Sequence, residues 1–456
     1  MMRLSEIALW TGGRLLGADL DVIGVAIDTR KLQPGELFVA IKGERVDGHD
    51  FARGAAMQGA AAALVTRRVD VDIPQVVVND TQLALGDLAS AVRAQRDVRV
   101  VGITGSNGKT TVKTLTASIL ARHGRTHVNA GNYNNELGLP LTLLAMPADT
   151  EYAVLEMGAG KPGDIAYLAA IARPDIGLVN TIAPAHLERM GSLEGVAETK
   201  GALYQALPAD GVAIINADDA FASFFGGLAG SRRTLHFGLG GHVDVGATIL
   251  EQRVDGSRFM LRTGEGEAEV NLPLAGRHNI ANALAASAIA LALEVPLATI
   301  AAGLMHAPGV VGRLRTEAMD GGWTLIDDSY NANPGSVGAA IDTLALAGGE
   351  RWLVLGDMAE LGPEARELHA GIGARAKAAG IERLFAVGAL SLAAAQAFGA
   401  GAEHHVDKAA LVASLVRQLR SGVTCLVKGS RSAGMEQVVA ALKQTTNASG
   451  GPIDAA

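Results

Sequence analysis

Residues 98–111 read Val-Arg-Val-Val-Gly-Ile-Thr-Gly-Ser-Asn-Gly-Lys-Thr-Thr, and this stretch indicates what kind of fold the sequence encodes. Its first half is β-branched and predicts a strand, whereas the residues that follow it predict a helix. A glycine-rich turn between them lets backbone N–H groups close on phosphate oxygens at the positive end of the helix dipole. Lys109 can then reach the terminal phosphates of a nucleotide, and the Thr110 hydroxyl can ligate Mg²⁺. The stretch therefore predicts a phosphate-binding loop.

This loop departs from the strict pattern Gly-x-x-x-x-Gly-Lys-[Ser/Thr], because Ile103 stands five residues before Gly108. An ordinary glycine-rich turn is the alternative, and the flanking strand, helix, lysine and paired threonines favour the phosphate loop. A phosphate loop alone indicates only nucleotide binding. No Asn-Lys-x-Asp tetrapeptide, which would read guanine, occurs in the sequence, so a GTP-dependent switch is disfavoured.

Composition narrows the class of protein. The chain has 456 residues, of which 49% are hydrophobic, and this excludes a largely disordered protein and predicts three domains. A net charge of −8 argues against a nucleic-acid binder. The single cysteine, Cys425, excludes an intramolecular disulfide and predicts a reducing, cytoplasmic compartment. We find no signal-peptide pattern, and the apolar residues 280–293 are too few to span a membrane, so they predict a buried helix.

The order of predicted elements indicates an α/β fold in three domains. Residues 1–81 alternate short apolar runs with turn clusters and predict a small α/β N-terminal domain. Residues 82–312 alternate β-branched strands with helices, which implies a central P-loop ATPase domain with a parallel sheet. Residues 313–456 restart the alternation and predict a C-terminal Rossmann-like α/β domain.

Three side chains outside the loop are candidates for metal chemistry. Glu156 ends one predicted strand and His186 follows another, and the carboxyl ends of parallel strands form the binding edge of such sheets. Oxygen and imidazole ligands beside a triphosphate suit Mg²⁺. Taken alone, His186 is better explained as a hydrogen-bonded loop residue, and Lys200 as a solvated lysine of a helix.

Seven motifs, in chain order, resemble one family over nearly the whole sequence. They are GITGSNGKTT (102–111), NYNNELGLPLTLL (132–144), LEMGAGKPGDI (155–165), NTIAPAHLERMGS (180–192), ETKGALY (198–204), GRHNIANALAA (276–286) and DDSYNANPGS (327–336). In this order they resemble the Mur ligases of peptidoglycan synthesis. The loop of that family has the shorter form Gly-x-x-Gly-Lys-[Ser/Thr], which residues 105–110 match.

The resemblance implies a nucleotide site that holds ATP and Mg²⁺. The phosphates would lie on the loop residues Gly105, Ser106, Asn107, Gly108, Lys109, Thr110 and Thr111. The metal ligands of the family match Thr110, Glu156 and His186. Lys200 matches a lysine that is carbamylated in related ligases, where a carbamate offers oxygens to the metal that an ammonium would repel. The catalytic roles would then fall to Lys109, Lys200 and His186.

Residues from two further segments are implied at the same nucleotide. His278, Asn279 and Asn282 resemble the adenine contacts, and capping of the helix by Asn279 is an alternative that could hold at the same time. Arg313 and Asp328 match residues of the third domain that reach back to ATP. We therefore expect that domain to close over the nucleotide as a lid.

The resemblance also implies where the other substrates bind. Residues 26–51 resemble a uracil-nucleotide-binding segment in which Asp28, Thr29 and Arg30 take part, and a solvated turn is the alternative. A loop facing the acyl substrate would contribute Asn132, Asn134 and Asn135. A dipeptide site would draw on Asn331, Asn333, Ser430 and Arg431. An arginine fork suits a carboxylate, although a structural salt bridge is an equally good explanation of Arg431.

These features imply an ATP-dependent amide-bond ligase that joins D-alanyl-D-alanine to UDP-N-acetylmuramoyl-tripeptide through an acyl phosphate. The partners would be small-molecule substrates, with no nucleic acid, no membrane insertion and a monomeric chain. The string DSYNANP, together with the absence of Asp-Asn-Pro-Arg, disfavours the ligases that form the tripeptide. Such a ligase, a relative of folylpolyglutamate synthase, and a non-catalytic nucleotide-binding module remain the alternatives.

Overall fold

The computed structural model describes residues 1–184 and 187–448 of the chain. Three separate sheets follow one another along the sequence, each with helices packed on it. This layered arrangement confirms the predicted α/β class, because most neighbouring strands are parallel and are connected through helices.

The N-terminal unit contains a five-stranded sheet and a short two-stranded ribbon. The sheet has the order β2-β7-β6-β5-β4, and only the β2–β7 pair is antiparallel, while β1 pairs with β3. The strands are β1 (Met2–Arg3), β2 (Arg14–Leu16), β3 (Asp21–Val22), β4 (Val25–Ala26), β5 (Leu37–Val39), β6 (Ala62–Val65) and β7 (Gln75–Val77). The helices are α1 (Leu4–Trp10) and α2 (Ala52–Met57).

One helix joins this unit to the next. Helix α3 (Thr81–Ala94) is capped by Asp80, whose side chain accepts hydrogen bonds from the amides of Gln82 and Leu83. Leu85 and Leu88 pack in the N-terminal core, whereas Ala89 packs in the core of the central unit. The helix therefore packs in the cores of both units.

The central unit contains a nine-stranded sheet of order β16-β15-β14-β13-β12-β11-β8-β10-β9. Its strands are β8 (Arg99–Thr104), β9 (Thr126–Val128), β10 (Tyr152–Glu156), β11 (Ile176–Val179), β12 (Val212–Asn216), β13 (Arg233–Gly238), β14 (Val245–Arg253), β15 (Gly256–Thr263) and β16 (Gly266–Leu272). Its helices are α4 (Lys109–Leu120), α5 (Gly138–Leu144), α6 (Asp164–Ala172), α7 (Leu187–Met190), α8 (Leu193–Gln205), α9 (Ala222–Ala229), α10 (Arg277–Ala292) and α11 (Leu297–Met305).

Part of this sheet departs from the predicted alternation of strands and helices. Strands β14, β15 and β16 form two consecutive antiparallel hairpins with no helix between them. Two-residue turns at Val254-Asp255 and Gly264-Glu265 reverse the chain. Buried and exposed residues roughly alternate along β15 and β16, as is typical of strands with one solvated face. The parallel prediction therefore holds for β8 to β14, and the edge of the sheet is antiparallel.

The C-terminal unit contains a six-stranded sheet of order β17-β18-β22-β19-β20-β21, parallel except for the β17–β18 pair. Its strands are β17 (Arg315–Met319), β18 (Trp323–Asp328), β19 (Glu350–Gly356), β20 (Arg383–Val387), β21 (Ala402–His405) and β22 (Val423–Lys428). Its helices are α12 (Pro334–Leu344), α13 (Ala365–Ala378), α14 (Ser391–Phe398), α15 (Lys408–Gln418) and α16 (Glu436–Ala448).

The predicted buried helix at residues 280–293 is confirmed. The run at residues 280–293 lies in α10, most of whose residues are buried in the central core. Within residues 1–184 and 187–448, no helix has both the length and the apolar character needed to cross a membrane. Cys425 is buried in β22, and burial raises the pKa of its thiol to about 12. This cysteine is a core residue.

Candidate functional site

The predicted phosphate loop connects β8 to α4 at the carboxyl edge of the central parallel strands. Gly108 precedes the helix with a φ of +81°, which favours glycine. A Cβ atom at this position would also collide with the side-chain amides of Asn180 and Asn282. Glycine is therefore required at position 108 both by conformation and by space.

Contacts with the neighbouring strand hold this loop in place. The Ser106 hydroxyl donates to the Ala183 carbonyl at 3.0 Å and accepts from the Ala183 amide at 3.0 Å. The Ser106 amide donates to the Thr181 carbonyl at 2.7 Å. The Lys109 ammonium folds back over the loop and donates to the Gly105 carbonyl at 2.8 Å, and burial lowers the pKa of this lysine. The amine thus lies at the mouth of the glycine-rich turn.

Glu156, at the end of β10, is the centre of a buried polar cluster. Its Oε2 accepts from the Thr110 hydroxyl at 2.9 Å, and its Oε1 accepts from the Asn134 side chain at 2.7 Å. The Lys113 Nζ lies 3.6 Å from Oε2. The Glu156 amide donates to the Asn129 Oδ1 at 2.6 Å. The carboxylate is only 3% exposed, so its orientation is fixed by these partners.

Lys200 is not the solvated helical lysine that its sequence context alone suggests. It lies on α8 with 2% of its surface exposed. Burial and the nearby Lys109 charge hold the pKa of Lys200 well below its ordinary value, while Asp164 acts in the opposite direction. In the described part of the chain, no hydrogen-bond acceptor or carboxylate pairs with its Nζ. Lys200 is therefore a desolvated amine close to the phosphate loop.

The oxygen atoms at the loop fit a hard divalent cation only in part. The Thr110 hydroxyl and the Glu156 carboxylate adjoin each other and offer hard oxygen ligands. Across residues 1–184 and 187–448, no three histidine, cysteine, aspartate or glutamate side chains come together as a metal site. His186, the other predicted ligand, lies outside the described residues. The described residues therefore offer such a cation two neighbouring oxygen ligands.

A cleft of about 590 Å³ opens over the phosphate loop, and we call it the phosphate cleft. It joins all three units, since Glu44 of the N-terminal unit and Arg313 of the C-terminal unit both line it. The predicted residues that line it are Ser106, Asn107, Gly108, Lys109, Thr110, Asn132, Asn134, Asn135, Glu156, Arg313, Asn331 and Asn333. The structure thus brings together residues that lie more than two hundred positions apart in the sequence.

A second cavity of about 260 Å³, which we call the side pocket, lies between the central and C-terminal units. Its predicted lining residues are Asn107, Gly108, Thr111, His278, Asn279, Asn282, Arg313 and Asp328. Four of these residues also line the phosphate cleft or belong to its loop, so the two cavities adjoin. Burial lowers the pKa of His278 to about 4, so its imidazole is neutral at pH 7.

The alternative role of Asn279 as a helix cap is wrong. Helix α10 begins at Arg277, and Gly276 occupies the cap position with no side-chain hydrogen bond. The Asn279 side chain instead donates to the Ala275 carbonyl at 2.7 Å, while its Oδ1 accepts from Asn282 at 3.1 Å. Its amide group therefore orders the wall of the side pocket.

The C-terminal unit reaches the phosphate loop through Asn333. The Asn333 Nδ2 donates to the Asn107 Oδ1 at 2.8 Å, and its Oδ1 accepts from the Ser336 amide at 2.9 Å as the cap of α12. The Arg313 guanidinium stacks over the Tyr330 ring, 4.4 Å from its centre. The loop and the third unit are therefore in direct contact.

The remaining predicted dipeptide residues lie at the edge of this region. Ser430 is buried and donates from its hydroxyl to the Asp357 carbonyl at 2.6 Å. The Arg431 side chain lies 3.6 Å from Glu436 and 5.7 Å from the centre of the Tyr330 ring. The Glu436 pair is exposed, and such pairs contribute little to stability, so it does not tie Arg431 down.

The predicted uracil-nucleotide residues lie apart from the phosphate cleft, in the N-terminal unit. Asp28, Thr29 and Arg30 line a cavity of about 590 Å³ with Phe38 and Phe51 among its other walls. The Asp28 carboxylate accepts from the Arg30 guanidinium at 2.7 Å, which lowers the pKa of Asp28 to about 2. The turn is thus exposed and held by a local ion pair, which fits both the predicted nucleotide site and the alternative of a solvated turn.

Several polar residues of the site escape the sequence analysis. Asn180 and Asn216 follow or end parallel strands, as Glu156 does, and the Asn180 side chain donates to Asn282 at 2.9 Å. The position of these two asparagines at or after the end of a β-branched run is a sequence signal that could have identified them. Lys113 and Lys428 carry no such signal, because a lysine in a helix or strand is usually solvated.

Comparisons with known proteins agree with this geometry. Three family models match successive parts of the chain: "Mur ligase family, catalytic domain" over residues 21–95, "Mur ligase middle domain" over 103–290, and "Mur ligase, glutamate ligase domain" over 312–431. Together they match well over half of the chain.

Individual relatives cover nearly the full length. UDP-N-acetylmuramoyl-tripeptide–D-alanyl-D-alanine ligase of Escherichia coli is 48% identical over 97% of this chain and 98% of its own. The crystal structure of MurF from Acinetobacter baumannii matches with a TM-score of 0.91 and 35% identity, over 96% of this chain and 98% of its own. MurF ligase from Thermotoga maritima in complex with ADP matches with a TM-score of 0.83 and 27% identity, over 93% and 98%. The chain therefore belongs to the Mur ligase family.

Proposed function

We propose that this chain is an ATP-dependent ligase that joins D-alanyl-D-alanine to UDP-N-acetylmuramoyl-tripeptide, giving the pentapeptide precursor of peptidoglycan with release of ADP and phosphate. The observation that carries the proposal is the phosphate cleft, where the loop, the Glu156 cluster and the asparagines of two other segments meet. The name and the near-complete coverage of the Escherichia coli relative support the choice of substrates. The ATP that this reaction consumes favours a cytoplasmic location.

The three units suggest a division of labour. We assign residues 1–81 to the UDP-sugar peptide, residues 82–312 to ATP, and residues 313–456 to the dipeptide and to a lid over the nucleotide. The cavity beside Asp28 supports the first assignment, and the contact between Asn333 and Asn107 supports the last. We expect the chain to work as a monomer with small molecules as its partners.

ATP fits across the two adjoining cavities. Its phosphates would occupy the loop beside Lys109 and Thr110, while the base would enter the side pocket next to His278 and Asn282. A neutral imidazole and buried amides suit an uncharged heterocycle, since they offer hydrogen bonds without a charge to desolvate. The complex of the Thermotoga maritima relative with ADP supports this placement.

Mg²⁺ bound here would supply positive charge that offsets the repulsion between two anionic reactants. The Thr110 hydroxyl and the Glu156 carboxylate would hold it, with His186 as a further ligand. We propose that Lys200 contributes as a carbamate: burial lowers the pKa of its amine, which favours the unprotonated form that adds to carbon dioxide with loss of one proton, giving a carboxylate-like group.

The residues of the chain act on the reaction by position and charge. The terminal carboxylate of the tripeptide attacks the γ-phosphorus of ATP, forming an acyl phosphate and releasing ADP. The dipeptide amine then attacks the acyl carbon, loses one proton, and the tetrahedral intermediate expels phosphate. Lys109 and the backbone amides of the loop stabilise the charge that moves onto the phosphoryl oxygens, and closure of the third unit excludes water from the acyl phosphate.

A panel of acyl acceptors tests this function. Phosphate release from ATP and UDP-N-acetylmuramoyl-tripeptide should require D-alanyl-D-alanine, and single amino acids should not replace it. Lys109→Ala should lower kcat by at least about a hundredfold, the scale expected for loss of a charge at the transition state. Phosphate release stimulated by an amino acid and not by the dipeptide would instead indicate one of the tripeptide-forming or glutamate-adding ligases.

A second experiment tests the carbamate. Lys200→Ala should lose activity, and short carboxylic acids should restore part of it, because they can supply the missing carboxylate-like oxygens to the site. Arg93→Ala, which removes a buried cation far from the cleft, is the control and should not respond to those acids. Full activity of Lys200→Ala without added acid would reject the modification.

A further inference from the structure

Lys113 is a buried lysine that lies beside Glu156, a lining residue of the phosphate cleft. Neither the sequence patterns nor the mechanism above gives this lysine a role. It lies on α4, one helical turn after Lys109, with 5% of its surface exposed. A lysine is rarely buried to this extent unless its ammonium is paired, so its partners indicate what it does.

Those partners belong to two other elements of the site. The Lys113 Nζ donates to the Asn129 carbonyl at 3.1 Å and to the Gly131 carbonyl at 3.0 Å. The same nitrogen lies 3.6 Å from the Glu156 Oε2, and both side chains are less than a tenth exposed. One ammonium thus connects the helix of the phosphate loop, the segment before the substrate-facing asparagines, and the carboxylate at the end of β10.

The segment from Asn129 to Asn134 is also fastened to Glu156 directly. The Asn129 side chain exchanges hydrogen bonds with the backbone of Glu156, at 3.1 Å to its carbonyl and 2.6 Å from its amide. The Asn134 side chain donates to the carboxylate itself. Lys113 therefore supports a cluster in which the Glu156 carboxylate and the 129–134 segment are fastened to each other.

We propose that Lys113 is a positioning residue that acts through Glu156: its ammonium offsets the charge of this carboxylate and fixes the 129–134 segment against it. This role rests on the proposed function and extends it to the control of divalent-cation binding. An ammonium beside a buried carboxylate weakens the binding of a second cation there, since like charges repel strongly where water is excluded. Lys113 thus lowers the affinity for metal while it holds the geometry that turnover needs.

The opposing effects on affinity and turnover distinguish this role from general support of the fold. In Lys113→Met, the carboxylate loses its neighbouring cation, so the full-length protein should bind Mn²⁺ about tenfold more tightly in the absence of nucleotide. In the same variant kcat should fall by about tenfold or more, because the substrate-facing segment is released. Lys113→Arg keeps the charge and should restore the weaker Mn²⁺ binding.

Two further variants make the outcome decisive. Arg93→Met removes another buried cation that donates to backbone carbonyls, those of Ala172 and Arg173, but it lies away from the cleft. It should lower the melting temperature and leave Mn²⁺ affinity unchanged. Glu156→Gln should weaken Mn²⁺ binding, and its failure to do so would refute the proposed metal ligand itself.

Manganese binding is followed by electron paramagnetic resonance or calorimetry on the full chain, so it does not depend on activity. If Glu156→Gln weakens Mn²⁺ binding but Lys113→Met leaves it unchanged or weakens it too, the role of Lys113 is refuted and the proposed function stands. If Lys113→Met does not fold, Lys113→Gln takes its place, and its Mn²⁺ affinity should exceed that of Lys113→Arg.

Discussion

The contact between Asn107 and Asn333 offers a quantitative test of whether the C-terminal unit completes the ATP site. The Asn333 Nδ2 donates to the Asn107 Oδ1 at 2.8 Å, and the reverse bond is longer, at 3.4 Å. One good neutral hydrogen bond contributes about 1 kcal/mol net. If the contact is present in the reactive state, its loss should lower kcat/KM for ATP by about fivefold, since about 1.4 kcal/mol corresponds to tenfold.

The choice of variant matters because Asn333 has a second task. Its Oδ1 accepts from the Ser336 amide and caps α12, and replacing a cap by alanine costs about 1 kcal/mol of stability. Asn333→Ser keeps a capping oxygen but is too short to reach Asn107. Asn333→Ala should therefore melt at a lower temperature than Asn333→Ser, and the serine variant isolates the contact between the units.

A double-mutant cycle of Asn107→Ala and Asn333→Ser measures the coupling. Each single change should lower kcat/KM by about fivefold, and the double variant should lose little more than either one, giving a coupling of about 1 kcal/mol. The assay is phosphate release with saturating tripeptide substrate and dipeptide. Losses that multiply to about twenty-five-fold would refute the reasoning, because the two side chains would then act independently in the reactive state.

Two further predictions concern the same pair of cavities. Gly108→Ala should weaken ATP binding by at least about tenfold, because a left-handed backbone costs an alanine about 1–2 kcal/mol and the new Cβ must displace Asn180 and Asn282. The control is Gly399→Ala, where φ is +76° and the space around the residue is open. This variant should leave ATP binding unchanged in the same calorimetric titration. In the folded chain, burial lowers the pKa of His278 to about 4. As the pH falls below about 6.5, the unfolded chain therefore binds a proton that the folded chain does not bind, and the free energy of unfolding decreases until the pH reaches about 4. His278→Gln should therefore lose less stability than the wild type between pH 7.5 and 5.5 in urea unfolding, and an equal loss would contradict the buried, neutral imidazole.

The parts of the fold that follow from local sequence are those in which each segment carries its own signal. The β-branched runs that become β8, β10, β11 and β12 are bounded by glycine, proline or aspartate, and the spacing of α3 places its apolar residues on one face. Leu83 is an exception, since it fits the helical spacing yet remains exposed. The predicted alternation of strands and helices does not include the hairpins β14–β16. Their strands alternate buried and exposed residues, and this pattern was not distinguished from that of the buried parallel strands before them.

Some residues of the candidate site likewise carry a local signal in the sequence, and others do not. The phosphate loop and Glu156 carry a local signal, a polar residue or a glycine turn directly after a buried strand. The environment of Lys113 carries none, because its partners at positions 129, 131 and 156 are brought to it by the sheet order β8-β10-β9 and by the loop between them. The alternative role of Asn279 as a cap is wrong for a different reason, since α10 begins at Arg277 with Gly276 as its cap.

Two buried lysines of the candidate site are each paired with a buried carboxylate, one in the central unit and one in the C-terminal unit. Lys113 faces Glu156 in the central unit, and Lys428 faces Asp328 at 2.5 Å in the C-terminal unit, where both side chains are almost fully buried. Lys428 also donates to the Asn331 carbonyl at 2.9 Å, so Asp328 and the proposed dipeptide region share one ammonium. Removing one partner of such a pair leaves an uncompensated buried charge, which costs far more than the pair contributes. The two carboxylates, of which Glu156 is proposed to bind the metal and Asp328 to face ATP, are therefore held in place by cations of the protein itself. Any cation or ligand that engages them must compete with those lysines.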